Sequence, residues 1–242
     1  MLVTDLGRSR VDFEDAWASV SGVPGWLTEG QARMLWEAVS RLPAGSTVVE
    51  IGSHQGRSTV VLGHAARAVG ARVVAIDAFV DGRLFGGAST RDLFERNIAK
   101  AGLDDVVELV VGYSTKLRHT WSRPFDLLYV DGKHDYWTYV DDLRWSAHMP
   151  PGSEILVHDC FSSIGVTAGT LHKVLFGNRF TYVDRSRSLA RFVLRRPGPA
   201  DRLRVLQQLP WFVGNVFLKV LLRLRLSKVA AWAGHQGPYD PF

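Results

Sequence analysis

Apolar runs alternate with amphipathic segments through the middle of the chain. Five of the runs are short, rich in Val, Ile and Leu, and continuous, which is the pattern of strands covered on both faces. They occupy residues 46–52, 71–77, 106–112, 125–131 and 153–159. Because helical segments separate them, the sequence predicts an α/β fold with a doubly wound, mostly parallel Rossmann-like sheet.

The amphipathic segments indicate where the helices lie. Residues 56–70, 89–102 and 135–149 are predicted helices, and the second should begin with a capping box of Ser89 and Asp92. An upstream helix is expected to begin at Thr28 and to bury one apolar face against the sheet. That face carries Leu35, Ala38, Val39 and Leu42.

The chain beyond the fifth strand predicts a hairpin and a tail. Residues 178–184 and 189–196 resemble two antiparallel strands closing the sheet, and residues 195–202 a linker. We therefore expect three segments: a helical cap over residues 1–45, a central domain over 46–196 and a helical tail over 197–242.

The tail is apolar and basic. Residues 211–232 have the length of a membrane span but contain Lys219, Arg223, Arg225 and Lys228, and charges inside lipid are costly. A helix packed on the domain or on a second subunit is the favoured interpretation, so a homodimer is expected. Contact with a membrane surface is the alternative.

Composition narrows the class of protein. Of the 242 residues, 46% are hydrophobic and 22% charged, which suits a globular domain and excludes global disorder. The net charge of +5 fits nucleic acid, an anionic partner or plain solubility. We favour solubility and expect no nucleic acid, since no RNA-binding signature accompanies the charge. A single cysteine, Cys160, and an acidic N-terminal stretch favour the cytoplasm, with the membrane periphery left open.

A glycine-bearing loop follows the first strand, at residues 49–59. Glycines allow a tight turn and close approach of a ligand, and doubly wound sheets bind ligands beyond the carboxyl ends of their strands. Asp77 ends the second strand, where a carboxylate can bind the hydroxyls of a ribose. Glu50 precedes the first glycine and would repel a pyrophosphate. The loop therefore favours a nucleoside cofactor with an ammonium and a sulfonium over a dinucleotide.

These motifs resemble those of the class I S-adenosylmethionine-dependent methyltransferases, over residue 28 to about residue 193. The similar relatives are the catechol O-methyltransferase group and bacterial sugar O-methyltransferases. The matching stretches are VVEIGSHQGRSTV, VVAIDAF and VVGYS. The resemblance implies cofactor binding by a set of loop and strand-end residues: Glu50, Gly52, Ser53, Gly56, Ser58, Asp77, Tyr113, Ser114 and Asp131.

Two further acids end the fourth and fifth strands. Asp131 and Asp159 should converge at one edge of the sheet, where two carboxylates share a proton or bind a cation. Metal-dependent members of the group place ligands at these strand ends, which implies a magnesium site. Many of them follow the second acid with an amide. Cys160 stands there in this chain, so His158 is the candidate third ligand, although an imidazole suits softer metals.

His134 lies three residues beyond Asp131. An imidazole that titrates near neutrality can accept the proton of an acceptor hydroxyl, so His134 is the expected general base. Asp135 and Tyr136 are expected to contact the acceptor, as is Arg83. Loops over residues 79–92 and 162–172 should close over it.

The predicted function is O-methylation of a sugar or glycosylated natural product, such as a polysaccharide precursor. Trp26 and Trp137 could stack on such a polyol, or simply pack. Methylation of a phenol or catechol is the first alternative. It ranks below the sugar because a flat ring needs a more uniformly apolar pocket. A nucleotide-dependent oxidoreductase and a non-catalytic subunit with a recruiting tail are the others.

Overall fold

The fold is built on one seven-stranded sheet with the strand order β3-β2-β1-β4-β5-β7-β6. The computed structural model describes residues 11–80 and 86–232. The strands are β1 (Thr47–Ile51), β2 (Arg72–Asp77), β3 (Val107–Val111), β4 (Leu127–Val130), β5 (Glu154–Val157), β6 (Phe180–Ser186) and β7 (Leu189–Leu194).

The first five strands are parallel, and the last two form an antiparallel hairpin joined to β5 through β7. The prediction of a doubly wound, mostly parallel sheet closed by a C-terminal hairpin is confirmed. The chain runs outward from β1 to β3 and then returns to β4 on the other side of β1. This reversal of strand order is the place where such sheets bind ligands.

Helices cover both faces of the sheet. They are α1 (Phe13–Ser19), α2 (Glu29–Ser40), α3 (Arg57–Val69), α4 (Ala88–Lys100), α5 (Ser114–Leu117), α6 (Tyr136–Asp142), α7 (Ile164–Leu171), α8 (Pro199–Leu206), α9 (Leu209–Arg223) and α10 (Ser227–Trp232). A 3₁₀ segment, Leu143–His148, continues α6, and a π-helical turn, His172–Phe176, continues α7.

Successive strand residues enter opposite cores, which explains the continuous apolar runs. Val48 packs with Leu35 and Val61 on one side of the sheet, and Val49 packs with Tyr139 on the other. Since side chains alternate along a strand, burial of both faces requires every position to be apolar.

Helix α2 begins as the sequence predicts. Thr28 accepts the backbone N–H of Gln31, and the Gln31 side chain accepts the N–H of Thr28, which completes a capping box. Leu35, Ala38 and Val39 are buried, as expected, and Leu42 packs at the edge of the core.

Three local predictions are wrong. The capping box of Ser89 and Asp92 does not form, because α4 begins one residue earlier and Gly87 is its N-cap. Residues 162–172 are not a loop, since most of them form α7. The linker predicted over 195–202 is shorter, because α8 already begins at Pro199.

The tail consists of α8, α9 and α10. Among the described residues, one stretch, Pro199–Arg223, is long and apolar enough to cross a membrane by length and composition alone. Few of its residues are buried: in α9 only Asn215 and Leu221 are. The division of the chain into three segments stays a prediction.

Candidate active site

A cavity of about 510 Å³ lies beyond the carboxyl ends of β1 to β4. This volume is typical of a pocket for a small organic ligand or cofactor. The walls come from the loop after β1, the ends of β2 and β4, the start of α5, and a segment before α2 that includes Trp26 and Leu27. The pocket therefore lies at the strand-order reversal.

Gly52 allows the first loop to pass against the end of β4. Its φ is +88°, and a Cβ added there would lie 2.2 Å from the carbonyl oxygen of Asp131. No larger residue fits without moving one of the two backbones. Gly56 has a φ of +87° at the N-cap of α3, where it backs onto Phe94 rather than lining the cavity.

Asp77 holds the same loop from the end of β2. Its Oδ2 accepts the backbone N–H groups of Ser53 and His54, both at 2.9 Å, and its Oδ1 accepts that of Phe79 at 2.9 Å. A carboxylate has about four acceptor positions, so roughly one stays available for a ligand. Asp77 also lines the cavity, as a residue that binds a ribose would have to.

Glu50 lies beneath the cavity instead of in its wall. The carboxylate is fully buried and accepts the hydroxyls of Ser58 and Thr59, each at 2.5 Å. Burial raises the pKa of Glu50 to about 7, although the hydrogen bonds from these two hydroxyls oppose the shift. Its influence on a ligand would pass through Ser58, which does line the cavity.

The remaining predicted cofactor residues lie around the rim. Ser53 lines the cavity, and its buried Oγ has no hydrogen-bond partner within the described residues, which suits a polar ligand atom. Tyr113 and Ser114 line the opposite wall. Ser114 Oγ donates to Asp142 at 2.6 Å. Burial raises the pKa of Asp142 to about 7.

Asp131, His134, His158 and Asp159 form one cluster at the ends of β4 and β5. His134 Nδ1 is 2.8 Å from Asp159 Oδ2, and its Nε2 is 3.7 Å from Asp131 Oδ1. His158 Nδ1 is 3.1 Å from Asp131 Oδ1 and 3.8 Å from Asp159 Oδ1. The predicted convergence of the two acids is therefore present. Asp131 and His134 line the cavity, with the other two behind them.

Neighbouring groups hold the two carboxylates in place. Tyr129 donates its hydroxyl to Asp131 Oδ2 at 3.0 Å, and Ser162 donates to Asp159 Oδ1 at 3.1 Å. Asp159 is buried and has a positive φ of 55°. Such backbone strain costs about 1–3 kcal/mol and occurs most often at functional sites.

The acids of this cluster raise the pKa of both imidazoles, so His134 and His158 tend to stay protonated. Burial opposes the charge on His134, but hydrogen bonds with Asp131 and Asp159 dominate and raise its pKa to about 10. Burial also opposes the charge on His158, and Asp131 raises its pKa. The imidazoles lower the pKa of Asp131 and Asp159 against the effect of burial. The two acids therefore hold the pKa of His134 above the neutral range expected from the sequence, and its role as general base stays a prediction.

The donor types in the cluster fit a divalent cation. The two carboxylates both approach Nδ1 of His158, whereas the buried Nε2 on the other side of that ring has no partner within the described residues. However, in residues 11–80 and 86–232 no group of three or more His, Cys, Asp or Glu side chains is arranged so that it could hold a metal ion. Cys160 contributes nothing: its thiol is buried beside Thr170, and burial raises its pKa to about 12.

The predicted acceptor residues take other positions. Asp135 is the N-cap of α6 and pairs with Lys133 at 2.8 Å. The hydroxyl of Tyr136 is 2.5 Å from His172 Nδ1, outside the cavity wall. Trp137 is exposed, whereas Trp26 lines the cavity and lies near His54. Arg83 lies outside the described residues.

The sequence analysis missed two residues that line the pocket and two that support its walls. Tyr129 reads as an ordinary strand residue, and only its position two residues before Asp131, on the same face, hints at a contact. Arg57 and Thr138 also line the cavity. Arg57 lies within the matching stretch VVEIGSHQGRSTV but received no role there, and Thr138 belongs to no motif. Asp142 accepts the hydroxyl of Ser114, although the two residues are 28 positions apart in the sequence.

Comparisons with known proteins add to this geometry. Residues 49–160 match a family model described as a methyltransferase domain. Cofactor-bound Rv0187 from MTB superimposes with a TM-score of 0.59 at 20% identity, over 76% of this chain and 88% of that one. An O-methyltransferase from Bacillus cereus with SAH gives 0.56 at 20% identity, over 80% and 94%. The O-methyltransferase TomG from Streptomyces achromogenes with SAM gives 0.52 at 19% identity, over 77% and 89%.

Proposed function

We propose that this chain is a class I S-adenosylmethionine-dependent methyltransferase that methylates a hydroxyl group of a sugar or glycosylated natural product. The observation that carries the proposal is the cluster of Asp131, His134, His158 and Asp159 at the rim of the cavity. A basic group and two acids beside a nucleoside pocket suit the activation of an alcohol. The similar structures from Bacillus cereus and Streptomyces achromogenes are O-methyltransferases, which supports the same reaction.

The cofactor would lie along the cavity. Asp77 is placed for the ribose, Tyr113 and Ser114 for the adenine, and Ser53 with Ser58 for the amino-acid end. S-adenosylmethionine supplies the methyl group: its carbon–sulfur bond breaks, the electron pair stays on sulfur, and the carbon bonds to the acceptor oxygen. The protein aligns the two reactants and removes the hydroxyl proton.

His134 is placed to take that proton. Asp159 Oδ2 accepts the Nδ1–H of the imidazole at 2.8 Å, which orients the ring and leaves Nε2 as the proton acceptor. The side chain is 42% exposed, so a hydroxyl in the cavity can reach it. Because its pKa is raised to about 10, His134 must first lose the proton that the two carboxylates stabilise.

Asp131 and Asp159, with His158 as the third donor, are the residues that would hold a metal. A divalent cation bound there, magnesium in our proposal, would neutralise the carboxylates that keep His134 protonated and would stabilise negative charge on the acceptor oxygen. Tyr129 and Ser162 already orient the two carboxylates for this purpose.

Three polar side chains in the cavity wall support a sugar over a phenol. His54, Lys133 and Thr138 line this region with groups that hydrogen-bond to hydroxyls. Trp26, which is 40% exposed, offers a ring face on which a sugar can stack. A flat phenol would gain less from this wall than from an apolar slot.

A methyl-transfer assay tests the proposal. Labelled S-adenosylmethionine is offered with a panel of sugars and glycosides and a panel of phenols, in magnesium or in EDTA. We expect transfer to a glycoside that needs the metal. His134→Gln should lower kcat by about a hundredfold to ten-thousandfold, the range for a general base. His119→Gln, which lies outside the cavity wall, is the matched control. Near-normal kcat in His134→Gln would contradict the assigned role.

Cofactor binding separates this proposal from an oxidoreductase. S-adenosylhomocysteine should raise the melting temperature of the protein, because a ligand that binds only the folded state stabilises it. NAD(H) should leave the melting temperature unchanged. The opposite pattern would favour a nucleotide-dependent oxidoreductase.

A further inference from the structure

An exposed apolar stripe runs along α8 and α9. Within each helix its members recur at intervals of three or four residues, so they share one face of that helix. They are Leu203, Leu206, Val213, Phe217, Val220 and Leu224. Val213 and Leu224 are 62% and 63% exposed, and Phe217 is 55% exposed. A stripe of this kind is normally covered by something.

The opposite face of α9 is fixed to the folded body. Asn215 Nδ2 donates to the carbonyl of Phe161 at 3.0 Å, and Lys219 Nζ donates to that of Ser162 at 2.9 Å. Trp211 and Phe212, at the start of the same helix, pack against the hydrophobic core. The helix therefore cannot roll its stripe inward without breaking these contacts, and the stripe faces outward.

The charges around the stripe are of one sign. Residues 202–232 contain no Asp or Glu, and their cations are Arg202, Arg204, Lys219, Arg223, Arg225 and Lys228. Arg223, Arg225 and Lys228 are exposed at the C-terminal end of the stripe. Trp232 follows them and is 90% exposed. An amphipathic aromatic residue of this kind suits a boundary between water and lipid.

We propose that the stripe of α8 and α9 docks on an anionic membrane surface. Apolar side chains would enter the headgroup region, and the neighbouring cations would meet anionic lipids. A second copy of the chain fits less well, because two such surfaces would bring the exposed cations Arg223, Arg225 and Lys228 of each copy toward those of the other. The contacts of Asn215 and Lys219 make α9 lie on the membrane, with the folded body attached to its inner face.

Vesicle flotation with the full chain tests the proposal. The protein is mixed with vesicles of neutral phosphatidylcholine, or of phosphatidylcholine with phosphatidylglycerol. We expect it to float with the anionic vesicles and to stay behind with the neutral ones. Replacing Arg223, Arg225 and Lys228 by Gln should weaken binding by about a hundredfold, given about 1 kcal/mol for each cation near the surface. The matched control replaces Arg72, Arg96 and Lys100, exposed cations elsewhere on the chain.

The apolar half of the surface has its own test. Phe217→Ser with Leu224→Ser should also abolish flotation, while Phe176→Ser, at a residue 82% exposed outside the stripe, should not. Circular dichroism and the melting temperature check that each variant folds.

Three results would overturn the proposal: no flotation of the wild type, equal loss in the control variants, or a dimer in sedimentation that only the Phe217 and Leu224 variant dissociates. The last result would assign the stripe to a second copy.

Discussion

Two residues of the first loop, Glu50 and Gly52, shape the pocket through the placement of a carboxylate and the absence of a Cβ atom. Glu50 was predicted to touch the cofactor, but it is buried below the cavity and acts on Ser58. Its position in the motif could be read from the sequence, whereas the direction of its carboxylate depends on where α3 packs. Gly52 was predicted correctly as a tight turn, yet the backbone that requires it, that of Asp131, is distant in sequence.

Glu50 should make stability depend on pH. Its pKa is raised from 4.5 to about 7 in the folded protein, so its contribution is fully present below pH 4.5 and is lost as pH rises through about 7. The shift corresponds to about 3 kcal/mol at most. Glu50→Gln cannot ionise and so does not lose this stability. The difference in unfolding free energy between the variant and the wild type, measured in urea, should therefore move in favour of the variant between pH 5 and pH 8 (roughly the window of the shift). Parallel stability curves would contradict the raised pKa.

Gly52→Ala should damage both stability and cofactor binding. The added Cβ would approach the Asp131 carbonyl to 2.2 Å, and the φ of +88° adds strain. We expect a loss of about 1–3 kcal/mol of unfolding free energy and much weaker S-adenosylhomocysteine binding in calorimetry. Gly152→Ala is the matched control, since Gly152 also has a φ of +88° but nothing within 4 Å. Equal behaviour of the two variants would show that strain alone matters.

At the scale of elements, the strands were predictable and some helix ends were not. The five parallel strands could be predicted from continuous apolar runs, because a strand that is buried on both faces needs an apolar residue at nearly every position. Helix α7 was predicted as a loop because it contains Gly165 and Gly169, and glycine is unfavourable inside a helix. Those glycines serve close packing instead: a Cβ on Gly165 would lie 2.4 Å from the carbonyl of His134. Such contacts are tertiary and are not visible in a local pattern.

The loop after β1 depends on its attachment to β2 through Asp77. Asp77→Asn replaces one carboxylate oxygen by a donor that cannot accept a backbone N–H, so the loop should loosen and the affinity for S-adenosylhomocysteine should fall. The control is Asp126→Asn. Asp126 accepts the backbone N–H of Thr47 at 2.8 Å, at the other end of β1. Both variants should lose about 1–2 kcal/mol of stability. Unchanged affinity in Asp77→Asn would contradict the role given to the loop.

At the scale of the whole molecule, strand order brings the chemistry together. Asp131 and Asp159 meet because β4 and β5 are adjacent and parallel, which the sequence analysis anticipated from the general rule for such sheets. The raised pKa of His134 was not anticipated, because it needs both carboxylates at known distances from one ring. The outward direction of the α9 stripe also depended on contacts with Phe161 and Ser162.

The most direct test is a crystal structure of the full chain with S-adenosylhomocysteine. The account predicts the nucleoside in the cavity beyond β1 to β4, with its ribose at Asp77 and its sulfur turned toward His134 and Asp131. A ligand bound elsewhere, or one whose sulfur faces away from that cluster, would contradict it.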